Sequence, residues 1–417
     1  MAKLLWTQKQ DIGPAPRSGH GMVFETSRQR VLLFGGFGGG TQFLSDTWSW
    51  DGENWTQLAD IGPSSRSLHA MAYDSARDRT VLFGGHADST EFGDTWEWDG
   101  DAWTQIDDTG PSARFGHGMV FDEARHVVTL FGGGHTAAAP ESDTWAWDGS
   151  NWQQVEDTGP SPRTGHSMAY DGARSRTILF GGNSADLTTS FGDTWEWDGS
   201  VWTRVQDIGA AAATGAAMVF RSAVSSLFGG ITAINNVAGR KLLGLTWEWN
   251  GHHWTARQDI GVGARFRHAM AYDSVRSRVV LFGGLSVPPD AQDADSHLQG
   301  DTWEHADAGT GGGQPPPQPQ VSSVASVSAA PNPATSNQLL SITVQLVAPA
   351  PPQGETVTIS GDLGDLGQIP FTSGQSTGTL ALQLPPNLGS LIPLPFSGNV
   401  TATAGDGMTT STILNLV

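Results

Sequence analysis

The stretch RTGHSMAYDGARSRTILFGG, residues 163–182, followed by FGDTWEWDGSVWTRV, residues 191–205, is one full copy of a unit that this 417-residue chain repeats. Its double glycine recurs from Gly35, Gly84, Gly132, Gly181, Gly229 and Gly283, so successive copies stand 49, 48, 49, 48 and 54 residues apart. Within the quoted copy, residues 164–170, 176–180, 193–198 and 202–205 are short runs rich in aromatic or β-branched residues, bounded by Gly, Asp or Pro, as strands are. The pair Asp198-Gly199 marks a tight hairpin between the last two, and recurs at Asp51-Gly52, Asp99-Gly100 and Asp148-Gly149, with Asn250-Gly251 in the fifth copy. Four short strands at a period of 40–50 residues describe a propeller blade, which cannot bury both of its faces alone. Six copies predict an all-β, six-bladed β-propeller.

The sixth copy has three strands, 267–273, 278–282 and 301–305, then runs into a Gly-rich segment without its closing Trp strand. The chain opens with that missing piece, Leu4, Leu5, Trp6 and Thr7. The N-terminal strand is therefore expected to pair into the last blade, with Trp6 as the anchor, closing the ring and removing an open sheet edge.

The repeat resembles the kelch motif of kelch and galactose-oxidase-type propellers over roughly residues 4–305, through the apolar run before Gly-Gly and paired aromatics such as Trp98 and Trp103. Trp98, Trp197 and their equivalents hold a place often taken by tyrosine in that motif. The radical-copper chemistry of galactose oxidase is excluded: the chain has no Cys, and Tyr73, Tyr170 and Tyr272 are its only tyrosines, at equivalent places in three repeats.

Composition shifts sharply near residue 310. All 22 Lys and Arg lie before residue 314, as do all 17 Trp, whereas the rest of the chain keeps only Glu355, Asp362, Asp365 and Asp406 as charged side chains. The expected organisation is a propeller over 1–308, a Gly/Pro-rich linker over 309–320, and a β-sandwich over 321–417, where apolar and small polar residues alternate in about seven runs. This last segment resembles bacterial Ig-like repeats, through residues 328–333 and 354–360. A formal charge of −20 argues against nucleic acid or anionic membranes as partners, and no apolar run approaches the ~18 residues of a membrane span. The first residues lack the apolar core of a secretory signal. Location outside the cell or on its surface is what the resemblance of the modules implies, with a cytoplasmic location as the alternative that the missing signal leaves open.

Because the strands alternate in direction, one face of the propeller carries the loops between the second and third strands, which run from eight residues in blade two (86–93) to sixteen in blade six (285–300). Variable loops on one rim of a constant scaffold are the expected place for binding. On that face Arg17, Arg66, Arg114, Arg163 and Arg265 precede the first strands, and His20, His69, His117, His166 and His268 follow three residues later. Asp46, Asp94, Asp143, Asp193 and Asp301 open the third strands. Blade five carries Ala213, Ala216 and Leu245 at these three places, and joint loss is what mutually bonded groups would show. The His and Asp columns are therefore read as structural partners. The arginines are read as candidate ligand donors, a cationic funnel for an acidic glycan or carboxylate.

His86, His135 and Asn183 follow the double glycines of three adjacent blades and should face the mouth, with Glu91 and Glu141 in the same loops. His86, His135 and a carboxylate are a candidate metal or acid–base group. Asp290, Asp293 and Asp295 in the blade-six loop are candidate calcium ligands, without the Gly and terminal Glu of an EF-hand. No other cofactor is expected. The once-per-blade methionines, Met22 to Met270, are read as packing between blades. Three functions are carried forward: non-catalytic recognition of a protein or glycan at the loop-rich face, with the Ig-like segment as spacer or docking unit; a glycan-active enzyme at the propeller mouth; and a structural component assembling through its domains, the C-terminal one included.

Overall fold

The computed structural model describes residues 3–306 apart from 10–11, 108, 137, 185–188, 207–208, 233–240 and 287–297, and beyond them only strand backbones. The chain divides into two compact units, Met1–Gly311 and Gly312–Val417.

The first unit is a six-bladed β-propeller. Blade one is representative: Gly21–Glu25, Arg30–Phe37, Phe43–Trp50 and Trp55–Ala59 pair antiparallel in sequence order. The first strand of each blade lines the central channel. Blade four forms over Ser167–Asp171, Arg176–Phe180, Thr194–Trp197 and Trp202–Gln206. Its first strand starts three residues later than the sequence pattern placed it, because Gly165 takes a left-handed φ of 67° and Thr164 makes only an isolated bridge to Asn183.

The ring closes as expected. The N-terminal strand Lys3–Gln8 pairs antiparallel with Thr302–Ala306, with Trp6 opposite His305 and Gln8 opposite Trp303. It also pairs in parallel with a short strand, Gln258–Ile260, that the repeat pattern did not reveal, so this sheet has five strands. Trp6 is 2% exposed and packs among Val219, Phe228, Met270 and Leu281, which belong to blades five and six. One indole therefore fastens the last blade to its neighbour.

Neighbouring blades are joined by repeated polar contacts. The indole N–H of the fourth-strand Trp donates to a Thr hydroxyl of the preceding blade: Trp103 to Thr47 at 2.9 Å, Trp152 to Thr95 at 2.8 Å, and Trp55 to Thr302 across the closure at 2.8 Å. In three blades the third-strand Trp also reaches a Glu of the preceding blade, as Trp50 reaches Glu304 at 2.9 Å, Trp147 reaches Glu97 and Trp249 reaches Glu196. Tryptophan fits here because it combines a large apolar surface with a donor that must be paired when buried. Tyrosine's hydroxyl would need different geometry.

The double glycine has its own reason. At Gly84, with φ of 67°, a Cβ would stand 2.6 Å from the Arg114 carbonyl oxygen of the next blade, and the Gly85 N–H donates to that same carbonyl at 2.9 Å. The close approach fits no side chain. On the opposite face, Arg77, Arg174 and Arg276 each bridge an Asp of their own turn and a largely buried Glu, as Arg276 joins Asp273 and Glu304 at 2.7 and 2.8 Å. Arg276 also covers Gly52 in the tight turn of the next blade. This face thus carries clamps between blades.

The second unit contains one sheet of three strands, within Val324–Ala330, Leu339–Leu346 and Thr377–Gln383. Its other sheet has four, within Glu355–Gly361, Gly364–Phe371, Phe396–Thr403 and Thr409–Leu416. The expected linker, 309–320, lies outside the described residues.

Candidate functional site at the channel mouth

Between the Arg and His columns each blade places one residue with left-handed backbone: Gly19, Leu68, Gly116, Gly165, Gly215 and Arg267, with φ from 54° to 67°. Their peptide groups bond to one another around the channel. Gly19 N–H donates to Arg267 C=O, Leu68 to Gly19, Gly116 to Leu68, Gly165 to Gly116, Gly215 to Gly165 and Arg267 to Gly215, at 2.7–2.8 Å. Six peptide bonds thus form a closed cycle at the loop-rich end. Glycine suits this conformation; an L-residue with a Cβ is disfavoured there by about 1–2 kcal/mol.

The arginine column does not face a ligand. Arg17, Arg66, Arg114, Arg163 and Arg265 are 0–3% exposed. Arg66 is typical: Nε donates to Ser64 O at 2.9 Å, Nη1 to Gly84 O at 3.0 Å, and the guanidinium meets Asp94 as a fork at 2.6 and 2.9 Å. Asp46, Asp143, Asp193 and Asp301 receive the same fork from Arg17, Arg114, Arg163 and Arg265. Each Asp also accepts the indole N–H two residues on, as Asp94 does from Trp96 at 2.7 Å. Burial alone would raise the Asp94 pKa, but the Arg66 fork outweighs it and the net shift is downward. The proposed cationic funnel is therefore corrected: these guanidiniums hold the blades' inner corners.

The histidine column is corrected in a different way. His20, His69, His117, His166 and His268 do not bond the Asp column. Among the described residues both ring nitrogens of each lack a hydrogen-bonding partner, and each ring instead stands edge-on to a Phe of the preceding blade, as His69 does to Phe34 at 5.4 Å. Burial, reinforced by the neighbouring Arg charge, pushes His69 and His166 down to about 3, and His268 falls to about 3 from the same causes. His20 and His117 shift the same way. All five are neutral rings at ordinary pH.

Above the peptide cycle lies a cavity of about 650 Å³ lined by His86, His135 and Asn183, three residues that the loop pattern aimed at the mouth. They do not act as one group. Asn183 is 9% exposed, and its side-chain carbonyl accepts from Ser190 at 3.0 Å. His86 lies between aromatic rings, 5.5 Å from Phe43 and 4.8 Å from Phe115, with Ser67 Oγ at 3.3 Å from Nε2. Its pKa is lowered, first by burial and further by the Arg267 charge. His135 is held between two carboxylates, Nδ1 at 3.4 Å from Glu91 and Nε2 at 3.1 Å from Glu141, while Glu91 also takes the Thr136 N–H. These acids approach opposite sides of the imidazole and so do not converge on a common point. Among the described residues no three His, Asp or Glu side chains gather as metal ligands, so the joint His86–His135–carboxylate centre is not assembled. Asp290, Asp293 and Asp295 lie outside the described residues.

Two features of the mouth escaped the sequence reading. The first is an aromatic shelf: Phe37, Phe43, His86 and Phe115 follow one another at 5.3, 5.5 and 4.8 Å, continuing from blade one to blade three. The second is Arg267, which lines the cavity with Phe266. Aligning the column between Arg and His exposes it, since the other five members are glycine or leucine. The opposite end of the channel is a separate cavity of about 500 Å³ lined by the six methionines and three tyrosines. The methionines do pack between blades: Met71 sulfur would lie 2.5 Å from a Cβ on Gly21.

No protein-family model matches this sequence, and no curated protein matches it. Among solved structures it is similar to the one described as "Structure of YjhT", at 14% identity and a TM-score of 0.55, covering 70% of this chain and 95% of that one. The likeness is one of fold.

Proposed function

We propose that the chain is a kelch-type recognition module that binds a glycan at the loop-rich mouth of its propeller. The observation that carries this reading is a cavity of about 650 Å³ in which the rings of His86, Phe115 and Phe266 stand beside polar side chains, with the shelf continuing beside it to Phe43 and Phe37. Sugars present C–H faces that pack on aromatic rings and hydroxyls that exchange bonds with groups such as Asn183 and Thr164. On this reading the C-terminal unit is an Ig-like spacer or docking domain, and the module works outside the cell. A glycan array probed with the full chain tests it: binding that Phe115→Ala weakens at least tenfold, without chemical change of the sugar, is the expected result. An array with no bound glycan would remove the proposal.

A second reading, a glycan-active enzyme, is favoured by one observation: His135 bridges Glu91 and Glu141 at the cavity wall. A histidine between two carboxylates has the parts for general acid–base work. Mass spectrometry of incubated array hits decides between them, since turnover abolished by His135→Ala supports the enzyme and unchanged glycans support recognition.

A further inference from the structure

We infer that the glycan bound at the mouth is acidic, and that the guanidinium of Arg267 takes the carboxylate of a uronic-acid residue. The inference rests on the glycan reading and specifies its ligand class. Its starting point is the contrast between Arg267 and the buried arginine column. Those five guanidiniums give their donors to backbone carbonyls and an Asp fork. The Arg267 side chain donates no hydrogen bond to, and forms no ion pair with, any described residue. Its guanidinium stands over the Phe266 ring at 5.8 Å. The surrounding protein lowers the Arg267 pKa by desolvation, but the residue is exposed to solvent and a guanidinium starts so high that it keeps its charge.

The backbone makes the same point independently. Arg267 adopts φ of 54° in a cycle where four of the other five members are glycine. Glycine there would satisfy the peptide cycle equally well, so the fold does not ask for arginine. A strained, unpaired cation beside a cavity is the pattern of a binding residue.

The site chemistry narrows the anion. Every peptide N–H of the cycle is already bonded around the ring, so no backbone nest is left to cradle a phosphate. Among the described residues no second Lys or Arg lines the cavity. A single planar fork matches one carboxylate, which it can bind bidentately. The rings of Phe266, Phe115 and His86 provide a surface for the sugar body that carries it. The carboxylate that lines the cavity among the described residues is Asp88, while Glu91 and Glu141 are engaged by His135.

The test is calorimetric titration of the full chain with galacturonate, glucuronate and mannuronate trisaccharides, each beside its neutral counterpart. At least one acidic sugar should bind tenfold or more tightly than its neutral partner, with the preference shrinking as salt rises. Arg267→Gly should erase that preference and hold the melting temperature within about 2 °C. Arg267→Lys should restore part of it, through charge without the fork. If neutral sugars bind and the acidic ones bind no better, or if Arg267→Gly keeps the preference, the inference falls and the glycan reading stands. If no sugar binds, acidic or neutral, both fall together.

Discussion

A buried histidine with no partner is a liability that depends on pH, and this propeller carries five. Unfolded, each imidazole takes a proton near pH 6.5, whereas His69, His166 and His268 in the fold resist protonation down to about 3. Between those values the unfolded state binds more protons, so stability falls as pH drops from 6.5 toward 3 and is fully present above 6.5. Each such ring contributes a slope of about 1.4 kcal/mol per pH unit. We expect His166→Ala, which copies Ala216 of blade five, to reduce the slope of unfolding free energy between pH 4 and 6 by about that amount in urea titrations. An unaltered slope would show that the ring is not the acid-sensitive group. The paired Arg–Asp column makes a different residue-scale prediction. Arg66→Ala should cost about 3–5 kcal/mol, because it leaves Asp94 and the Gly84 carbonyl buried without their cation. The double variant Arg66→Ala/Asp94→Leu, the blade-five combination, should recover at least a third of that loss; strict additivity of the two single variants would argue against the coupling. Repeat comparison showed that three columns vanish together in blade five, but not who touches whom. A shared location made His look like the partner of Asp, when the Asp was already filled by Arg and a Trp indole.

Elements were more legible than contacts. Strand spacing, tight turns and the missing outer strand of the sixth copy are local periodic signals, and they placed the N-terminal strand opposite Thr302–Ala306 correctly. The short parallel strand Gln258–Ile260 was not legible, because its residues follow the repeat, as Gln206, Asp207 and Ile208 do after Trp202, and it pairs only across the closure. The same closure makes a quantitative expectation. Trp6 is nearly fully buried against blades five and six, and removing an indole from such a place costs about 3–5 kcal/mol. Deleting residues 1–9 also exposes the edge of Thr302–Ala306. Calorimetry should show a melting temperature lowered by at least about 5 °C for the deletion, and a substantial part of that for Trp6→Ala. A deletion that melts like the full chain would mean the ring holds without its closing strand.

At the scale of the whole chain, the repeat count decides the architecture, and the site we propose lies where the repeats cease to be equivalent. Constant positions build the channel; Arg267, Phe115 and Phe266 break the pattern around it, and such departures are hard to weigh from sequence because each looks like ordinary drift within its column. The chain is also divided in its spectroscopy. Every tryptophan belongs to the unit Met1–Gly311, and none to Gly312–Val417. Tryptophan fluorescence therefore follows the propeller alone, while far-ultraviolet circular dichroism follows both sets of strands. The propeller completes its own ring by pairing Lys3–Gln8 with Thr302–Ala306, so its closure needs no strand from beyond residue 311. Ending the chain at Gly311 should then leave the fluorescence melting curve within about 2 °C of the full-length value, and should keep glycan binding at the mouth. A truncated chain whose tryptophans melt well below that value would show that the second unit supports the ring, and the recognition site would have to be sought in both units together.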